Sequence, residues 1–568
     1  MKFSGTWLAI AAALALAGCS KPAETPNATG TAASATPAAQ ASDSTALKET
    51  ELNPKLAEYI KTLASDDFQG RAPATKGEEK TTAYIAEQFK NMGLKPGYNG
   101  SYLQPAQLVR IDPVHVSEMT FSGDKAPAPF QYREQMFTWT TRVTEFSEVK
   151  DSDMVFVGYG VVAPEYGWND YEGLDVKGKT VVMFVNDPGF ATKDPNLFTG
   201  EAMTYYGRWT YKFEEAARQG AAMALIIHET DAASYGWEVV AKGSATKFDL
   251  VNPNKNADRN AVDGWITSDA ANQIFARMGE TIDSMRKKAL SKDFAPIPLN
   301  LKASVSVKNN VQELVSNNVV GYIEGTEKPE EVVLYTAHWD HLGVDFSNPN
   351  DKVFNGAQDN ASGTGGLIAL AEYFSKQPKP KRSVAFIALT AEERGLIGSA
   401  WYAKNPIWPV NKTVAGINMD VLNVYGPMKD VVVVGKGASD LDDMVETYAK
   451  QQGRYLTKEP NPAAGNYYRS DHFNLAKVGV PMLYIEGGVD SVVHGKEWGL
   501  EQHHNYTKCC YHKVADEFQD SWDLRGAQQD LFLFYKVGAQ IANDPTLWPN
   551  WKEGKEFKAI RDKSMATQ

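Results

Sequence analysis

Cysteine is scarce: three in 568 residues, two of them neighbours at Cys509 and Cys510. A disulfide framework is therefore excluded as the source of stability. Adjacent Cα atoms stand about 3.8 Å apart, below the usual bridging range of about 4.4–6.8 Å. A bond between that pair is either absent or a special redox feature. Positive charge is also short, with 58 Lys and Arg against 70 Asp and Glu, a formal net charge of -12. That balance argues against a nucleic-acid partner, because phosphate binding needs a basic face. Beyond the N-terminus no run of about 20 apolar residues occurs, so no spanning helix is expected there. What is present suits packed cores: 43% hydrophobic and 11% aromatic residues, a balance with no global mark of disorder. The length itself predicts two folded units.

The first residues read as an address. Lys2 supplies a thin positive region, and Leu8 to Ala17 form an almost unbroken apolar run, the pattern of an export signal. Leu16-Ala17-Gly18-Cys19 resembles the lipobox of bacterial lipoproteins. The resemblance implies a signal peptide over 1–19 and a lipid anchor at Cys19. Ser20 follows where Asp would mark inner-membrane retention, so it favours the outer membrane, on its periplasmic or surface face. Export also places Cys509 and Cys510 in an oxidising compartment. Residues 20–48 are Ala, Thr, Ser and Pro with hardly any large apolar side chain. Such a segment cannot offset its ordering entropy and reads as a flexible tether.

Folded structure is expected from 49. Leu56, Tyr59, Ile60 and Leu63 recur at helical spacing, and a second helix carries Tyr84, Ile85, Phe89 and Met92 before Gly93. From 131 to 295 β-rich runs dominate, including Asp153–Val162 and Lys179–Val185, with a helix near Phe213–Gly220 leading into a strand at Met223–Ile227. The phrases at 157–168 and 216–227 resemble the protease-associated domain inserted in several exported peptidases. The segment lacks a dense cluster of His and carboxylates and reads as a lid or substrate-access module, an inserted β-rich α+β domain. From 296 to 546 strands and helices alternate, which predicts, with 49–130, an α/β domain: a mostly parallel mixed sheet sandwiched by helices. Its buried strands are expected at Val332–Ala337, Val384–Thr390, Val414–Met419 and Pro481–Ile485. Between the first two lies a helix with Leu367, Leu370, Ala371 and Phe374 on one face. Residues 547–568 are polar and read as a tail wrapping the surface.

Four chemically capable groups fall at or just beyond strand ends. His338 and Asp340 close the first strand in Ala-His-Trp-Asp-His, and Asp359 stands in a Gly-flanked loop. Glu392 and Glu393 follow the second strand, and Asp420 ends the third. Ligands of open α/β sheets gather at the carboxyl ends of strands. Gathered carboxylates repel, and one stays protonated unless a cation intervenes. Mixed imidazole and carboxylate donors suit zinc, whereas all-oxygen sets suit magnesium or calcium. Residues two apart share a face in extended chain, so Asp340 can orient the His338 ring. Adjacent Glu392 and Glu393 point apart, which lets one bind metal while the other acts as a base.

These segments resemble the di-zinc aminopeptidases of peptidase clan MH, which include bacterial leucyl aminopeptidases and glutamate carboxypeptidases. The resemblance implies a zinc-exopeptidase-like fold and two zinc ions per chain. His338 and Asp420 would hold one, Glu393 and a late histidine the other, and Asp359 would bridge both, with a cis peptide following it. Asp340 would be the supporting carboxylate and Glu392 the general base acting on a metal-bridging hydroxide. Tyr511-His512-Lys513-Val514-Ala515-Asp516 fits the family's closing segment best, with Lys513 where Thr is common. It nominates His512 over nearby His503 and His504. Tyr467, three residues before Ser470-Asp471-His472, would help stabilise the transition state.

The implied activity is removal of N-terminal residues from peptide substrates. Alternatives are a glutamate-releasing carboxypeptidase, which needs basic side chains for a C-terminal carboxylate, glutaminyl cyclisation, and a non-catalytic, metal-free binding ectodomain. The sequence assigns no oligomeric state.

Overall fold

The computed structural model describes residues 54–566. The expected signal peptide, the Cys19 anchor and the tether over 20–48 lie outside the described residues. Among those described, no helix is long and apolar enough to cross a membrane.

The two expected helices form at Leu56–Leu63 and Lys76–Asn91. Leu56, Tyr59, Ile60 and Leu63 are all buried. The Thr75 hydroxyl caps the second helix by accepting from the Gly77 amide, and Gly93 ends it in a left-handed turn (φ 76°).

The central strands follow from continuous apolar runs buried on both faces. In Lys328–His338, Val333, Tyr335 and Ala337 face one core while Val332 and Leu334 face another. This strand pairs in parallel with Arg382–Leu389 on one side and Thr413–Asn418 on the other, and the latter pairs in parallel with Met482–Gly487. Helices must cross between such strands, and Ser362–Ser375 and Arg525–Asn543 pack on the sheet. Ser362–Ser375 departs from the one-faced helix read in the sequence, because every residue from Ser362 to Phe374 is buried. Its Gly365 lies against Ile60 and its Gly366 against Leu422 and Leu531, so small residues let neighbours pack close on a second face.

One long strand, Ile297–Ile323, joins the α/β half to the insert. Its end pairs antiparallel with Arg382–Leu389, its middle with Leu103–Val116 and its start with Phe146–Phe156. Phe146–Phe156, Thr180–Phe184, Met223–His228 and Val262–Thr267 then run parallel in succession. The insert therefore carries more parallel pairing than an α+β domain implies, since the helix Trp209–Arg218 provides a crossover. Its apolar core draws on residues from Met119 to Val307, wider than 131–295.

The C-terminal segment does more than wrap the surface. Lys558–Met565 is helical, and Trp551 and Phe557 are buried. Trp551 Nε1 donates to the Gly479 carbonyl at 3.0 Å. Cys509 and Cys510 are joined in a disulfide directly before Tyr511 and His512.

Candidate metal centre

Parallel pairing sets the site. His338 lies opposite Leu389 and Thr336 opposite Asn418. His338, the Glu392–Glu393 turn and Asp420 therefore leave the sheet at one edge. Asp359 arrives from the turn before Ser362–Ser375, and its peptide bond to Asn360 is cis, as the resemblance implied.

The donor atoms converge. His338 Nε2 lies 3.1 Å from Asp420 Oδ1 and 3.4 Å from Asp359 Oδ1. His512 Nε2 lies 3.2 Å from Asp359 Oδ2 and 3.0 Å from Glu393 Oε2. Asp359 is thus shared between two groups of donors. Donors bound to one zinc at about 2.0–2.2 Å stand roughly 3.3 Å from one another in a tetrahedral shell, so these spacings fit zinc.

The electrostatics fit as well. Burial disfavours the His338 cation, yet Asp420, Glu392 and Asp359 outweigh it and hold its pKa well above the ordinary imidazole value. His512 keeps 38% of its side chain exposed; partial desolvation disfavours its cation, but Glu393 and Asp359 raise its pKa to about 10. Burial works against ionised Asp359, and hydrogen bonds from His338 and His512 overcome it. Glu393 falls to about 2 because His512 and His341 outweigh burial and the Asp359 charge. The imidazoles and carboxylates thus stabilise one another's charged forms, as a cation held among them would.

Glu392 differs from its neighbour. Among the described residues its carboxylate has no hydrogen bond, while burial and the charges of Asp420 and Glu393 raise its pKa well above the usual range. A carboxylate left outside the donor set with high proton affinity is suited to accept a proton.

Asp340 plays a part beyond the one expected. Its Oδ1 stands 3.8 Å from His338 Nδ1, whereas its backbone carbonyl is closer at 3.2 Å. The carboxylate instead accepts from the Glu392 and Glu393 amides at 2.9 and 3.4 Å, tying two strand-end loops together. Burial raises its pKa to about 7.

Tyr467 does not join the cluster. It follows left-handed Gly465 and packs on Gly435, Tyr468 and His472, and its buried hydroxyl has no partner. The tyrosines whose hydroxyls feel Asp420 and Glu392 are Tyr484 and Tyr511. Of the late histidines, His512 reaches the donors in a left-handed backbone (φ 57°), stacked on Tyr511 at 3.9 Å. His503 faces Tyr425 instead.

Several contributors escaped the sequence reading. His341 is fully buried, and its Nδ1 lies 2.7 Å from Glu393 Oε1. It follows the strand, where the period of two no longer tells which way a side chain points. Asp516, seen only as part of a motif, accepts from the Gln358 and Asp359 amides at 3.0 Å each. Ser470 donates to Asp420 Oδ2 at 2.6 Å, and the Ser-Asp-His segment was the signal for it. Arg208 and Arg469 come from distant segments. Burial, with Arg469 adding repulsion, lowers Arg208 to about 9, and the buried Nε of each has no partner.

A 130-residue stretch is 32% identical to aminopeptidase NAALADL1 of Mus musculus, covering 22% of this chain and 16% of that protein. A probable glutamate carboxypeptidase of Arthroderma benhamiae is 33% identical over 233 residues, 38% of this chain and 29% of that one. The chain thus spans less than a third of these relatives. Among solved structures, an aminopeptidase from Aneurinibacillus sp. strain AM-1 superposes with a TM-score of 0.49 at 19% identity, over 87% of this chain and 94% of that one. Residues 318–535 match the model of peptidase family M28.

Proposed function

We propose that the protein is a zinc aminopeptidase of the bacterial envelope, held by a lipid at Cys19, with the insert guarding access to its site. The carrying observation is the convergence of His338, Asp359, Glu393, Asp420 and His512 beside an uncommitted Glu392. Two zinc ions fit the donors: His338 and Asp420 for one, Glu393 and His512 for the other, with Asp359 shared. Zinc held there would polarise a scissile carbonyl and lower the pKa of water from 15.7 to about 7. Glu392 would accept the proton of the attacking water at its carboxylate and return it to the leaving amine. Asp340 keeps Glu392 and Glu393 in place through their amides. Ser470 and Asp516 hold Asp420 and the Asp359 turn, so no side chain must reorganise during reaction. The surplus of carboxylates also favours a free N-terminal amine, and hence cleavage at peptide N-termini.

Arg208 and Arg469 support a second reading. Two guanidiniums with unpartnered buried Nε groups, one adjacent to Ser470, could receive a C-terminal carboxylate, as a glutamate-releasing carboxypeptidase requires. Zinc analysis with two substrate panels decides between them. Aminopeptidase action predicts about two zinc per chain and turnover of amino-acid anilides. Release of glutamate from C-terminal glutamyl peptides, with the anilides untouched, would reverse the assignment. A metal-free protein that cleaves neither would return the binding-ectodomain alternative.

A further inference from the structure

We infer that Arg71 is the positioning residue that keeps the two sides of the metal centre in register. This rests on the reading of the cluster as a zinc site. Arg71 is 1% exposed and comes from the N-terminal part of the fold, far in sequence from every ligand. Its guanidinium donates to four backbone carbonyls. Nε reaches Trp339 at 2.8 Å, Nη1 reaches Leu63 at 2.7 Å and Asn355 at 2.6 Å, and Nη2 reaches Gly356 at 2.8 Å. Trp339 lies between His338 and Asp340, while Asn355 and Gly356 lead into Gln358 and Asp359. One planar group therefore clamps the strand end that carries His338 to the turn that carries Asp359. The donors of those two residues stand 3.4 Å apart, a spacing that a shift of about half an ångström in either loop spoils.

The clamp is itself anchored. Arg71 has a left-handed backbone (φ 52°) after Gln69 and Gly70, also at positive φ. A Cβ at Gly70 would collide with the Gly343 and Phe354 carbonyls, so only glycine allows this turn to sit against the loop. The Arg71 carbonyl in turn accepts from the His341 amide at 3.3 Å, beside the ring that holds Glu393. Burial lowers the Arg71 pKa to about 10 against the pull of Asp516, Asp340, Asp359 and Glu393, which leaves it cationic at neutral pH. Lysine keeps that charge but offers a single ammonium on a flexible stem in place of a rigid fork of five donors. It cannot span carbonyls from three segments.

Loss of a residue that orients metal ligands typically costs about 10–100-fold in metal affinity. The test is zinc titration of the metal-free protein against a chromophoric chelator, for wild type, Arg71→Lys and Arg382→Lys. Arg382 is a matched control. It is equally buried and donates to the carbonyls of Ile541, Asp544, Leu547 and Pro545 and, through Nε, to Glu331 Oε2 at 2.6 Å, away from the site. Near-UV circular dichroism of each metal-free protein reports native packing. The expected result is a natively packed Arg71→Lys with at least tenfold weaker zinc binding and Arg382→Lys within threefold of wild type. Arg71→Lys binding zinc like wild type would overturn the inference. So would an equal loss in both variants, or an Arg71→Lys protein without native near-UV signal, because the role would then be general stability. Wild type that binds no zinc would instead overturn the metal-site reading itself.

Discussion

Replacing Glu392 with Gln removes one proton-accepting oxygen and leaves nearly everything else in place. The backbone amide at 392 still donates to Asp340 Oδ1 at 2.9 Å, and the side chain gives up no hydrogen bond among the described residues. The substitution also removes a carboxylate whose proton affinity burial and the Asp420 and Glu393 charges raise. Stability should therefore stay within about 0.5 kcal/mol of wild type. Because Glu392 lies outside the donor set, zinc content should not change. A positioned general base contributes about 10²–10⁴ in rate, or about 3–5 kcal/mol at 1.36 kcal/mol per tenfold. The loss should fall on kcat, with KM nearly constant, since the ground-state contacts are untouched. Steady-state hydrolysis of an amino-acid anilide and metal analysis of the same sample measure both quantities. Retention of more than a tenth of wild-type kcat would refute the role of Glu392 as base. Loss of zinc with unchanged folding would place Glu392 among the ligands instead.

His512→Ala should shed one zinc of two and His503→Ala neither, because of these two histidines it is His512 that reaches Asp359 and Glu393; metal analysis after gel filtration checks both. His341→Ala frees Glu393 Oε1 from its 2.7 Å partner and should weaken binding at the Glu393 site by about 10–100-fold, read by chelator competition, while the His338 site keeps its affinity. Zinc needs the neutral imidazole of His512, which in the bare protein holds its proton up to about pH 10. Binding should then release protons, and apparent affinity should rise with pH through the neutral range. Calorimetry in buffers of different ionisation enthalpy measures that release, and a buffer-independent heat would contradict it. Phe386→Ala empties a fully buried position stacked on Tyr335 at 5.4 Å and should cost about 3–5 kcal/mol in denaturant unfolding.

The candidate donors at strand ends were legible in the sequence because a parallel sheet brings its carboxyl ends to one edge. Short apolar runs marked the strands, and the residues just after them had few other places to go. His338, Glu393 and Asp420 needed only that topology, whereas Asp359 comes from the turn before Ser362–Ser375. The buried helix Ser362–Ser375 was legible as a helix but not as a fully enclosed one, since Gly365 and Gly366 look like exposed residues until Ile60 and Leu531 come to lie against them. A stretch of sequence carries its own periodicity but not the identity of the chain that packs on it. For that reason only the tertiary structure decided between His512 and His503, turned Tyr467 away from the cluster and set His341 against Glu393. The same reason applies with most force to Arg71, which has no motif of its own. Its role comes from carbonyls lent by two remote segments and by nearby Leu63, and such an arrangement exists only once the chain has folded.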